Sequence, residues 1–209
     1  MPERRLVNTR NLDRYGNDAL PWSRAHDQLA STIPDQNTVS YLNTVRPDGR
    51  PHSVGIGAVW YDGDMYFTSN LETRKSRNLA ENAYATITTR LPGMDLVLEG
   101  KATLASDAAT LEALAAVFRE GGWPAEVAGD ALTAPFSAPS AGPPPWHLYR
   151  LVIDTAFGVA TAEPYGATRW DFPRSDAPRR QRAAPPGRGT LPAEAVPLVT
   201  PVVFRRWCL

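Results

Sequence analysis

The sequence predicts a mainly β protein, a small closed or partly closed antiparallel barrel with short helices covering its ends. Three observations carry this. Apolar and polar residues alternate in successive short runs from Val39 to Phe172. Turn chemistry separates the runs at Pro47–Gly49, Asp62–Gly63 and Pro92–Gly93. Only short stretches switch to a helical period.

Residues 1–21 are polar and aperiodic, an extended N-terminal arm. Pro21 then precedes a short helix, "PWSRAHDQLAS", with Trp22, Ala25 and Leu29 near one face. The first strand is "VSYLNTVR". The second runs through "HSVGIGAVW", with Pro51 at its first position, where a missing N–H is tolerated. Asp62–Gly63 signals a hairpin into "MYFTS". "SRNLAEN" reads as a short helix and "YATITTR" as a strand. "LVLEGKATLAS" alternates, with Leu96, Leu98, Gly100, Ala102 and Leu104 on one side.

The period then changes. Leu111, Leu114, Ala115 and Phe118 follow helical spacing, and Ser106 is the expected N-cap. Residues 129–146, rich in Ala and Pro, read as an irregular loop. "HLYRLVIDTAFGVA" is a long strand and "ATRWDF" a last short one. The sum is six or seven strands in a domain spanning 22–173. Residues 174–209 lose all apolar period and read as a disordered, basic, Pro- and Arg-rich tail.

Formal net charge is zero, but the tail holds seven basic against two acidic residues, leaving 15 basic and 20 acidic in residues 1–173. A mildly acidic body argues against a nucleic-acid surface. No apolar run approaches membrane-spanning length, and the single cysteine, Cys208, excludes an internal disulfide. A cytoplasmic protein is expected.

Much familiar chemistry is absent. His26, His52 and His147 lack the paired spacings of a zinc site, and no nucleophile elbow or phosphate-cradling P-loop occurs. "GIGAVW" lacks the third glycine of a dinucleotide fingerprint. Gly55 and Gly57 instead fall within a strand, where they let a flat group approach the backbone.

The sharpest local signal is "TRKSRNL". With Thr73 as N-cap, Arg74, Lys75 and Arg77 occupy the first turns of a helix, facing the positive end of its dipole. A bound phosphate reverses the sign of that cost. A solvated charged surface is the plainer alternative.

Together, "TVRPDGRPHSVGIGAVWYDGDMYFTS", "TRKSRNLAENAYATI" and "TAFGVATAEPYGATRWDF" resemble the pyridoxamine 5'-phosphate oxidase-like, flavin-binding split-barrel superfamily, over roughly residues 20–172. The resemblance implies a six-stranded antiparallel split β-barrel, a homodimer, and a cofactor held between subunits. It places His52, Ser53, Val54 and Gly55 along the flavin ring. It assigns Thr68, Ser69, Arg74 and Lys75 to the cofactor phosphate, Asn78 to holding the turn together, and Arg169 and Trp170 to covering the cofactor from the partner subunit. Trp60, Tyr66 and Phe67 read as core or dimer-interface residues.

Two departures bear on function. Members that oxidise pyridoxamine phosphate carry an Arg and a Lys on the ring-facing strand, matched here at best by His52 and Gly57. They also carry an Arg-x-His near the C-terminus, and none is found here. The resemblance therefore leads away from vitamin B6 oxidation. It points to an oxidoreductase using FMN or the deazaflavin coenzyme F-420 to pass a hydride to or from a small conjugated substrate, with no side chain assigned as acid or base. A non-catalytic protein binding a flavin, haem or another planar ligand is the alternative.

Overall fold

The computed structural model describes residues 5–31, 39–138 and 141–173. All lie in the unit Met1–Asp176. The tail expected from residue 174 lies outside the described residues.

The barrel is a ring of ladders. Strand β2 (Ser40–Val45) pairs antiparallel with β3 (Pro51–Ile56), and β4 (Ala58–Tyr61) pairs with β5 (Asp64–Ser69). β5 pairs with the first half of β10 (His147–Ala160). β10 also pairs with β7 (Met94–Leu104), β7 with β6 (Tyr84–Leu91), and β6 returns to β2. The segment read as one strand, "HSVGIGAVW", is thus two. It breaks at Gly57, its first part following β2 and its second following β5. If β3 and β4 count as one bent strand, six strands complete the circuit. The barrel is open where that bend lies.

The turns form as their sequences dictate. At the β4–β5 hairpin Asp62 and Gly63 both take positive φ, 46° and 83°, the pair of left-handed residues a two-residue hairpin needs. Asp64, buried beside that turn, accepts from Arg150 Nε at 2.8 Å and from Ile153 N at 3.1 Å, fastening β5 to β10. A register shift between Ile153 and Thr155 bends β10. Its second half pairs with β11 (Ala167–Asp171), which in turn pairs with β1 (Asn8–Asn11). The N-terminal arm is therefore extended but packed as a sheet strand. Gly100 permits the close crossing of β7 and β10, because a Cβ there would collide with the Val152 carbonyl.

The barrel interior is filled by Leu42, Phe67, Ile87, Leu96, Leu98, Leu151 and Ile153. Each such side chain contributes about 1.5–3 kcal/mol when buried, so this cluster dominates stability. Helix α1 (Ser23–Ser31) adds Ala25 and Leu29 to the same core, with Trp22 just before it. Helix α3 (Ala108–Glu120) packs Leu111, Leu114, Ala115 and Phe118 on a second cluster with Val59, Tyr66 and Leu148. Its N-cap is Asp107, whose carboxylate accepts from Thr110 N at 2.9 Å, so the expected Ser106 lies one residue too early. β8 (Glu126–Ala128), just before the stretch read as a loop, and β9 (Ala131–Thr133), within it, form a small hairpin. Among the described residues no helix is long and apolar enough to cross a membrane.

Candidate functional site

At the break between β3 and β4 the backbone is bare on one side. A Cβ added at Gly55 or Gly57 would meet nothing within 4 Å. β3 also ends the main run of paired strands; among the described residues it is bonded only to β2, so its other edge is open to offer backbone groups. A cavity of about 490 Å³ opens here, lined by Gly55–Ala58, Thr68, Lys75 and an apolar surround that includes Trp60, Met65 and Leu91. That volume suits a ring-sized organic ligand.

Helix α2 (Arg74–Glu81) starts beside the cavity. Thr73 caps it, its side chain accepting from Ser76 N at 3.4 Å, as the sequence predicts. The hydroxyls of Ser69, Thr73 and Ser76 lie 2.8–3.1 Å from one another, a polar knot joining the end of β5 to the first helical turn. Asn70 Nδ2 donates to the Pro143 carbonyl at 2.8 Å and ties the 141–146 segment to the same place. Arg74 is exposed and Lys75 buried, only 5% accessible. Among the described residues no carboxylate pairs with Lys75, and burial alone pulls its pKa below the ordinary lysine value. A buried cation without a counter-ion is costly unless something anionic meets it.

Asn78 is fully buried and donates from Nδ2 to Thr44 Oγ1 at 2.9 Å. It ties the helix to β2, and its Oδ1 has no hydrogen-bond partner among the described residues. Thr44 Oγ1 lies 3.4 Å from His52 Nδ1. Thr44 Oγ1 thus bridges Asn78 and His52, and the imidazole tautomer decides which atom donates in the contact with His52. His52 is held below its ordinary pKa of 6.5, first by burial and then by Arg46, Arg74 and Lys75. Arg46 is half-buried, and its Nε has no hydrogen-bond partner among the described residues.

The sign of the pH effect follows. A histidine whose folded pKa lies below its unfolded value resists protonation in the native state. Its contribution is complete above the unfolded pKa and is lost as pH falls from 6.5 toward the depressed folded value. A ¹⁵N NMR titration of the three histidines should show His52 titrating below 6.5. A midpoint above 6.5 would mean that an unseen anion outweighs the surrounding cations.

Of the residues singled out in sequence, Gly55, Thr68 and Lys75 line the cavity together. Ser69 belongs to the hydroxyl knot, and His52 and Asn78 are linked through Thr44. Val54 turns partly into the core and Ser53 faces outward, as strand alternation requires. Trp170 is a correction. It is wholly buried, its indole donating to the Leu20 carbonyl at 3.1 Å and its ring edge-on to Trp22 at 5.4 Å, so it is a core residue and covers no ligand. Arg169 turns to Asp171 at 2.8 Å and lies over Phe157, outside the cavity lining. The sequence reading missed Thr44, Ser76 and Arg46. Only Arg46 carried a signal, as a cation directly before the Pro47–Gly49 turn.

Residues 25–159 match the family model described as pyridoxamine 5'-phosphate oxidase. No curated protein matches the chain. Among solved structures, a pyridoxamine 5'-phosphate oxidase-related, FMN-binding protein from Nostoc punctiforme is 21% identical, with 73% of this chain and 90% of that one covered and a TM-score of 0.46. PhzG from Burkholderia lata is 17% identical, with coverages of 74% and 85% and a TM-score of 0.48. An F420 reductase is 18% identical, with coverages of 59% and 92% and a TM-score of 0.43. With well over half of its length matched by the family model, the chain belongs to the pyridoxamine 5'-phosphate oxidase family.

Proposed function

We propose that this protein binds a flavin-type cofactor, FMN or the deazaflavin F-420, and acts as an oxidoreductase on a small conjugated substrate, as a homodimer. One observation carries the reading. Lys75 is a buried cation with no counter-ion among the described residues, it lines the cavity at the barrel break, and it stands at a helix N-terminus. An anionic group fits that environment and relieves its cost.

Lys75, the first N–H groups of α2, Thr68 and Ser69 hold the phosphate in this reading. Arg74 adds charge from the exposed side, and Arg46 joins the set through its Nε, which has no partner among the described residues. The bare backbone at Gly55 and Gly57 admits a flat ring, and the free edge of β3 offers it hydrogen bonds. His52, kept neutral, braces β3 against β2 and α2 through Thr44 and Asn78. The bound cofactor supplies hydride chemistry. The chain supplies orientation and a largely apolar surround that excludes water.

Among the described residues the cavity lining holds no carboxylate, histidine or cysteine. That observation favours a second reading, a protein that carries cofactor without turnover. Stopped-flow mixing of the protein holding reduced cofactor with conjugated carbonyl or nitro acceptors separates the two. Reoxidation faster than that of free cofactor supports the enzyme; a rate no faster than free cofactor supports the carrier.

A further inference from the structure

The cavity has a wall that the barrel does not supply. Helix α3 ends at Gly121, and Gly122, with φ +87°, turns the chain back so that Trp123 N bonds the Phe118 carbonyl at 3.0 Å. Trp123 then stands edge-on to Phe118 at 5.3 Å and packs on Trp146 at 5.6 Å. Its indole N–H donates to the Phe136 carbonyl at 2.6 Å, fixing that backbone at the cavity. Phe136 itself is left 59% exposed. Phe118, Trp123 and Phe136 all line the cavity. A pinned backbone holding a largely exposed aromatic residue at a cavity suits a ligand that supplies the missing contact.

Charge narrows the class of ligand. Lys75 is the one charged side chain among the described residues of the lining; the polar ones are hydroxyls, such as Ser40, Thr68, Thr89 and Ser137. Once Lys75 engages the cofactor phosphate, no charged side chain among the described residues of the lining remains to neutralise a carboxylate or phosphate on a second ligand. Burying an unpaired anion is strongly unfavourable, whereas a carbonyl or nitro oxygen needs only a hydroxyl donor. We infer that the second ligand is an uncharged, planar ring compound held against the Phe118–Trp123–Phe136 wall, and that Phe136 sets this specificity. The exclusion of anions rests on the phosphate role proposed for Lys75; the aromatic wall does not.

The test is calorimetric titration of the full chain, saturated with cofactor, with acetylnaphthalene and with naphthoate, which share a ring and differ in charge. The neutral ketone should bind at least about tenfold more tightly than the carboxylate, and Phe136→Ala should weaken the ketone about tenfold without changing cofactor affinity. Equal binding of the two probes, no binding of the ketone to cofactor-loaded protein, or a ketone affinity indifferent to Phe136→Ala overturns the inference. If neither FMN nor F-420 binds, yet the ketone binds the free protein in a Phe136-dependent way, the phosphate role of Lys75 fails and the aromatic site stands.

Discussion

Lys75→Met should weaken cofactor binding and, in the same protein, raise the melting temperature of the cofactor-free form. The first effect is the loss of a charge-assisted phosphate contact, about 1.5–3 kcal/mol. That corresponds to about a 10- to 150-fold rise in Kd. The second follows from burial. Lys75 is only 5% accessible and meets no carboxylate among the described residues, so an apolar side chain of similar length removes a desolvation penalty. Fluorescence titration and thermal melting read the two effects separately. A lysine kept for the fold would give the reverse, a lower melting temperature with unchanged affinity. The pH dependence has a defined sign as well. Because the folded pKa lies below the unfolded 10.5, the free wild-type protein gains stability as pH rises toward 10.5, and the variant lacks that gain.

Trp170→Ala should show the opposite pattern. The indole is wholly buried, bonded to the Leu20 carbonyl and packed on Trp22; a Cβ at Gly158 would lie 2.5 Å from its ring. Truncating such a residue costs about 3–5 kcal/mol. For a domain of this size that lowers the melting temperature by roughly 6–20 °C. The fraction that remains folded should bind cofactor as wild type does. Lost affinity with an unchanged melting temperature would return Trp170 to the ligand surface.

The contrast between these two residues shows what the sequence made legible. Thr73 as a cap, with cations directly after it, is local chemistry, and the structure forms it as read. The Asp62–Gly63 hairpin is equally local, because only certain residues accept its dihedral angles. Trp170 was drawn to the site by resemblance alone. Its burial depends on Trp22 and Leu20, nearly 150 residues away in sequence, and no strand pattern encodes that pairing. The break at Gly57 was hidden for a related reason. Period-2 alternation continues through it, and only the different partners of β3 and β4 divide the segment. Ser106 and Asp107 are adjacent and both cap well, so packing of Leu111, Leu114 and Phe118 decided between them. Arg46 was overlooked because it gains meaning only beside His52, across the hairpin.

The most direct measurement is a pair of equilibrium titrations of the purified protein, one with FMN and one with F-420, followed by fluorescence at low salt and repeated with Lys75→Met. Saturable binding of at least one cofactor, weakened at least about tenfold by the substitution, is the expected result. Binding of neither, or binding that Lys75→Met leaves unchanged, would contradict the phosphate site at the start of α2.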